Sequence, residues 1–230
     1  MTSTTVAVDI VVFGLDLSRR ERRRLRVLMI HRLCPPYIGE LALPGGRVES
    51  HEDTATAARR ELLEETGIEP DFLEQLYTFS APNRDPRGRV ISVAYYALVN
   101  VEKFVPVAGT DAKDSKWYDL DEVLNQPLAF DHAEILKVAV ERLRGKIRYA
   151  PLGFDLLPKH FTIPELRQVY ETVLGVSLEP ANFRRALLKT GLLIATETVR
   201  PTTTKPAALF RFDEDKYKAL TQTGWNFEIF

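Results

Sequence analysis

Between Leu43 and Ile68, reading LPGGRVESHEDTATAARRELLEETGI, glutamates, an arginine and glycines stand at intervals that only certain chemistry needs. Gly46 is followed after five residues by Glu52, and after seven more by Arg60-Glu61-Leu62, Glu64-Glu65 and Gly67-Ile68. On a helix, residues three and four apart are neighbours, so Glu61, Glu64 and Glu65 fall on one face. Three carboxylates so placed repel one another unless a cation sits among them. Hard oxygen donors suit Mg2+ or Mn2+, which binds through a few carboxylates and completes its shell with water and substrate phosphates. Pro44-Gly45-Gly46 supplies a loop in which missing Cβ atoms let the backbone approach a metal or a phosphate. A solvated acidic helix face explains the composition of this stretch but not the joint spacing of Gly46, Glu52, Arg60 and Gly67.

At every specified position these residues resemble the signature of the Nudix hydrolases. The resemblance implies cleavage of a nucleoside diphosphate linked to another group, with Mg2+ or Mn2+ activating water and neutralising the pyrophosphate. It implies metal ligation by Gly46, Glu61, Glu64 and Glu65, assistance from Glu52, and an Arg60 that orients the glutamates through ion pairs.

The elements that must position this stretch follow from periodicity. Val6 to Phe13 and Leu25 to Ile30 are apolar and β-branched enough for core strands. The basic run Arg19 to Arg24 between them reads as a solvated loop, with DNA phosphate contact as the second reading. Pro35-Pro36 marks a turn. The acidic helix starts after Asp53, a good N-cap, and stops at Gly67, which suits a left-handed C-terminal cap. Leu73 to Ser80 and Val90 to Val99 flank the turn-rich segment Pro82 to Arg89 and read as a hairpin. Lys116 to Tyr118 reads as a short strand with Trp117 in the core, and Leu120 to Leu124 as a helix. A helix from Asp131 to Arg144 takes Asp131 as its N-cap and buries Leu136, Ala139, Val140 and Leu143, with His132 at the surface. Strands and helices alternating in this way predict an α/β/α sandwich around a mixed sheet.

Arg84, Arg87 and Arg89 in the turn-rich segment could grip phosphate, as could Arg47 in the glycine loop, or simply decorate a hairpin tip. NRDPRGRVISVAYYALV resembles the same region of ADP-ribose pyrophosphatases, which makes this segment a candidate substrate-facing loop.

Pro and Gly between Gly145 and Pro158 mark a boundary. Its apolar residues predict a docked linker over 146–158, dividing a domain at 1–145 from a smaller one at 159–230. In the second module Thr162 and Glu165 form a capping box, and Leu166, Val169, Tyr170, Val173 and Leu174 repeat at helical spacing until Gly175. A short turn leads to a helix from Pro180 to Thr190, closed by Gly191. Phe183 and Leu187 point one way. Asn182, Arg185 and Lys189 line another face, with Arg184 beside them, a stripe suited to a DNA major groove. Leu192 to Thr198 and Ala208 to Phe212 then pair as a hairpin whose tip reads as a wing, with Arg200 and Lys205 as candidate phosphate contacts. From Pro158 to Arg211 there are eight Lys/Arg against four Asp/Glu, a local excess that the whole-chain net charge of −1 conceals.

The whole arrangement resembles the NrtR family of Nudix-related transcriptional regulators, in which a Nudix sensor precedes a winged helix-turn-helix. FTIPELRQVYETVLG and NFRRALLKTGLL carry the likeness in the second module, RDPRGRVISVAYYALV and LAFDHAEIL in the first. It implies a homodimer on a double-stranded operator near NAD-metabolism genes, acting as a repressor whose grip is altered by binding ADP-ribose or a related nucleoside diphosphate. Many members have a degenerate Nudix signature and sense without cleaving. This sequence departs from them, because every carboxylate is present, so hydrolysis of ADP-ribose to AMP and ribose 5-phosphate stays open beside regulation. A plain pyrophosphatase whose second module has lost DNA binding is the alternative.

Composition narrows the rest. With 230 residues, 31 Lys+Arg and 32 Asp+Glu, the chain can bury a substantial core and carries no global field for nucleic acid or membrane. One cysteine, Cys34, excludes an internal disulfide and reads as a small buried residue. The start, MTSTTVAVD, lacks a signal-peptide pattern and no run approaches a membrane span, so the expected compartment is the cytoplasm.

Overall fold

The protein is described by a computed structural model covering residues 3–15, 24–101, 115–201, 206–225, 227 and 229. The chain divides into two compact units, one of residues 3–15 and 24–142 and one of residues 143–229 among those described. The predicted Arg19 to Arg24 loop and the wing residue Lys205 lie, apart from Arg24, outside the described residues. No helix among those described is long and apolar enough to cross a membrane.

The first unit is built on β1 (Thr5–Leu15), the apolar run that the sequence marks as a core strand. Along its full length β1 pairs in parallel with β6 (Val90–Asn100). Its other edge is shared: the C-terminal residues pair with β2 (Leu25–His31), the N-terminal ones with the short β4 (Gly45–Arg47). β3 (Leu41–Ala42) and β7 (Ser115–Asp119) flank β2, and β5 (Phe72–Phe79) closes the far edge as the predicted hairpin partner of β6. The sheet is therefore mixed.

Helix α1 (Thr54–Thr66) packs Ala57, Ala58 and Leu62 against Val8, Ile10 and Val12, so alternate residues of β1 face one helix. Each fully buried leucine or valine in such a layer contributes about 1.5–3 kcal/mol. After the short α2 (Leu120–Leu124), α3 (His132–Lys146) reaches β1 through His132 and β5 through Arg142, which donates to the Leu76 carbonyl.

Two expectations are corrected here. Cys34 is exposed, because the loop that follows β2 offers no layer to cover it. His132 is buried, since the first turn of α3 turns it onto β1. Asp131 directly precedes α3 and its carbonyl accepts from the Ile135 amide at 3.1 Å, while its carboxylate accepts from the Arg84 guanidinium.

The second unit holds α4 (Ile163–Leu174), α5 (Pro180–Thr190), the hairpin β8 (Leu193–Arg200) with β9 (Ala207–Phe212), and α6 (Glu214–Gln222), a helix the sequence reading did not assign. Thr162 and Glu165 form the reciprocal capping box, and Gly175 and Gly191 end their helices in left-handed conformation. The segment read as a linker contributes to this core: Leu152, Phe154, Leu156 and Leu157 are buried, and Phe154 stacks on Phe212 with ring centroids 4.2 Å apart.

Candidate functional site

Asp53 caps α1 by accepting from the Thr56 amide at 2.7 Å, and the helix then carries Glu61 and Glu65 to the glycine loop. The Gly45 amide donates to Glu65 Oε2 at 2.9 Å. A Cβ on Gly45 would lie 2.1 Å from the Val8 carbonyl, and one on Gly46 would lie 2.2 Å from Glu61 Oε1. Gly45 is thus required by its close approach to the backbone of strand β1, while a side chain at Gly46 would displace the Glu61 carboxylate.

Arg60 gathers the remaining acids. Its guanidinium is bidentate to Glu52, at 2.6 and 3.1 Å, and donates to Glu61 at 3.0 Å and Glu64 at 3.2 Å. The fork geometry of arginine suits this pairing. Arg60 holds the Glu52 carboxyl down at about 2, helped by the Glu49 amide. Glu61 is pushed up, by burial first, against the pull of Arg60. Burial also pushes Glu65 up to about 8, which the Gly45 amide opposes and the charges of Glu61 and Asp9 reinforce. Two carboxylates disfavoured as anions beside bare glycine backbone form a donor set that fits a hard divalent cation. Among the described residues no three acidic, cysteine or histidine side chains already converge at ligand spacing. Glu64, with its side chain 59% exposed, is held by Arg60.

Next to the carboxylates opens a pocket of about 330 Å³, lined by Gly45, Gly46, Glu65, Arg47 and all three arginines of the turn-rich segment, and also by Asp9, Arg32, Phe130 and His132. Its wall is a buried network. Asp9 accepts from Arg84 at 2.9 Å and from the Ser92 hydroxyl at 2.6 Å, while Arg84 also donates to Asp131 at 2.6 and 2.8 Å. His132 Nδ1 accepts from the Leu43 amide at 2.9 Å, so its ring proton sits on Nε2, 3.2 Å from Asp9 Oδ1. The network therefore pins the entrance of the glycine loop to the pocket wall. Asp9, Ser92, Asp131 and His132 were missed as site residues, although a carboxylate inside the apolar run AVDIVVF is a visible signal.

Of the predicted ligand arginines, Arg84 is committed to this network, Arg87 pairs with Asp85 at 2.7 Å, and Arg89 donates to the Ser80 and Ala81 carbonyls. Arg47 is exposed and its carbonyl accepts from Arg60.

In the second unit α5 buries Phe183 and Leu187 and leaves Asn182, Arg184, Arg185 and Lys189 exposed, as the spacing predicts. Arg185 Nη2 donates to Asn182 Oδ1 at 2.7 Å, one turn back along the helix. Arg200, expected on DNA phosphate, ends β8 and donates to Glu165 of the α4 capping box and to the His160 carbonyl.

A NUDIX domain model matches residues 4–139, and a model described as the NrtR DNA-binding winged helix domain matches residues 153–212. The chain is 36% identical over 217 residues to the ADPR responsive transcriptional repressor NtrR of Acinetobacter baylyi, covering 94% of this chain and 84% of that one. This chain belongs to the NrtR family. The crystal structure of Shewanella oneidensis NrtR complexed with a 27mer DNA superposes with a TM-score of 0.82 at 33% identity, over 93% of this chain and 95% of that one. The NUDIX domain of the same NrtR complexed with ADP ribose gives a TM-score of 0.52 at 32% identity, over 62% of this chain and 90% of that one.

Nudix hydrolases generally need a divalent metal, and the candidate ligands for one in this chain are the glutamates of α1 beside the glycine loop. Gly46→Ala tests the metal end of the site directly. The added methyl falls on the Glu61 carboxylate, so Mn2+ affinity measured by paramagnetic resonance is expected to drop by about tenfold or more, the range seen when support of a metal ligand is lost.

Proposed function

We propose that this NrtR-family protein is a transcriptional repressor, acting as a cytoplasmic homodimer, whose Nudix domain senses ADP-ribose or a related nucleoside diphosphate. The observation that carries this reading is the exposed stripe Asn182, Arg184, Arg185 and Lys189 on α5, in a chain whose other unit holds the arginine-lined pocket. Arginine reads guanine and asparagine reads adenine edges in the major groove, and the wing residues Arg200 and Lys205 add phosphate contacts. Occupancy of the pocket alters the grip on an operator near NAD-metabolism genes. Glu61, Glu64, Glu65 and the Gly46 backbone hold Mg2+ or Mn2+ when it is bound, with domain limits at 1–145 and 159–230.

A second reading, a pyrophosphatase, is favoured by the completeness of the carboxylate set. In that reaction water attacks a pyrophosphate phosphorus of ADP-ribose, the P–O bond to the other phosphate breaks, and AMP and ribose 5-phosphate leave. A bound divalent metal would supply charge neutralisation and a more acidic water. Glu52 and Arg60 keep Glu61 and Glu64 in place, and the Arg84 network fixes the glycine loop.

One titration separates the readings. The protein is added to DNA from upstream of its own operon and of NAD-pathway genes, with and without ADP-ribose and Mg2+, while AMP release is followed. Sequence-specific binding relieved by ADP-ribose is the expected result. Binding no stronger than the salt-sensitive background would overturn the repressor, and AMP release in the same tube would establish the hydrolase.

A further inference from the structure

Arg32 was not singled out by the sequence, yet its charge, unlike those of Arg84 and Arg87, is answered by no carboxylate among the described residues. It follows β2 and lines the pocket with Glu65 and Arg87. Its Nε donates to the Pro36 carbonyl at 2.8 Å and its Nη2 to the Cys34 carbonyl at 3.2 Å. Both acceptors are neutral, and among the described residues Arg32 makes no ion pair within 4.0 Å, whereas Arg84 and Arg87 each hold a carboxylate. Burial, and then the charge of Arg87, draw the Arg32 guanidinium below its ordinary range.

Its position is built by aromatic rings. The guanidinium carbon of Arg32 lies 4.6 Å from the centroid of Phe130, and that of Arg87 lies 5.5 Å from the same ring. Tyr37 meets Phe130 edge-on at 4.9 Å. Phe130 and Tyr37 both adopt left-handed backbone, with φ of 54° and 68°. Such conformations are rare for large side chains and cluster at ligand clamps. A half-buried cation without an ion pair among the described residues therefore lies over Phe130, which Tyr37 braces edge-on, and stacking fixes a guanidinium plane while leaving its edge to donate.

We propose that Arg32 grips the diphosphate of the bound nucleotide, with Phe130 and Tyr37 as the platform that fixes its guanidinium plane. The assignment rests on the reading that this pocket takes a nucleoside diphosphate. It places the phosphate grip on the loop after β2, where a bound diphosphate answers Arg32 and, with a divalent cation, Glu65.

Calorimetric titration of the full-length protein with inorganic pyrophosphate plus Mg2+, and separately with ADP-ribose, tests this. Arg32→Gln is expected to weaken both by about tenfold or more, the effect of losing a charge-assisted hydrogen bond. Arg32→Lys should recover only part of the loss, because a point charge keeps the attraction but not the stacked plane. Phe130→Leu leaves the Arg32 carbonyl bonds in place and should weaken pyrophosphate binding by a smaller factor, about threefold. Melting of each variant without ligand shows whether it is folded. Parental pyrophosphate affinity in folded Arg32→Gln overturns the inference. Should that variant fail to fold, parental affinity in both Arg32→Lys and Phe130→Leu overturns it. A parent that binds pyrophosphate through Arg32 but ignores ADP-ribose sinks the proposed effector while supporting the grip, and a parent that binds neither sinks both.

Discussion

Replacing Arg84 with alanine is expected to destabilise the Nudix domain by about 3–5 kcal/mol, the usual result of removing one partner from a buried ion pair. The Arg84 side chain is 4% exposed and is the shared donor for Asp9 and Asp131. Its loss strands both carboxylates, with Ser92 and His132 left as donors to Asp9. The deficit should depend on pH in a definite direction. Burial alone would raise Asp9, but His132, Arg84 and Ser92 outweigh it and hold the carboxyl well below its ordinary 3.8. A depressed folded pKa gives stability that is present above the unfolded value and is lost as the pH falls through the folded one. Without Arg84 the stranded anions cost most at neutral pH and least once protonated. Urea unfolding of parent and variant should therefore show the widest gap near pH 7 and a narrower one below about pH 4. Equal stability at neutral pH would show that the network does not depend on this arginine.

The second large effect separates the two halves of the molecule. Arg185→Ala should weaken binding to the specific operator by about ten- to a hundredfold, the consequence of losing one base-reading arginine, while non-specific binding changes little. Arg185 is exposed and pre-set by its hydrogen bond to Asn182, so the substitution should leave folding intact. Glu64→Gln should do the reverse. It keeps the shape of the side chain, removes the charge that a divalent cation needs, and is expected to abolish metal-dependent AMP release while operator affinity stays parental. Fluorescence anisotropy on operator DNA and a phosphate-ester assay on the same preparations read the two outcomes. If Arg185→Ala binds the operator as the parent does, α5 is not the reading helix. If Glu64→Gln still releases AMP at the parental rate, any hydrolysis lies elsewhere.

What the sequence reveals, and what it hides, divides by distance along the chain. Asp53 and Gly67 bracket α1 as expected, and Thr162 with Glu165 caps α4, because caps join residues only a few positions apart. The β5–β6 hairpin is equally legible from its two strands and the turn-rich segment between them. The pocket wall is not. Arg84 reaches Asp131 across 47 positions and Asp9 across 75, and Ser92 reaches Asp9 across 83, so no local pattern announces them. His132 looked superficial for the same reason: its partners Asp9 and Leu43 come from β1 and the glycine loop. Arg84, Arg87 and Arg89 were legible as a cluster but not as a set of differently committed groups. Arg32 carried no signal at all, since its meaning comes from Phe130, which arrives from the loop before α3.

The alternation along β1 has a consequence for how this protein can change. Val8, Ile10 and Val12 face α1, and Asp9 lies between them on the opposite side. Strand side chains alternate with a period of two, so a slip of one residue in the pairing of β1 with β6 would carry every one of them to the wrong face. The carboxylate would enter the apolar layer beneath α1, and Val8 or Ile10 would replace it in the pocket wall. Correct strand registration and a competent ligand site are thus a single requirement, and a misregistered chain would lose its core and its sensor together.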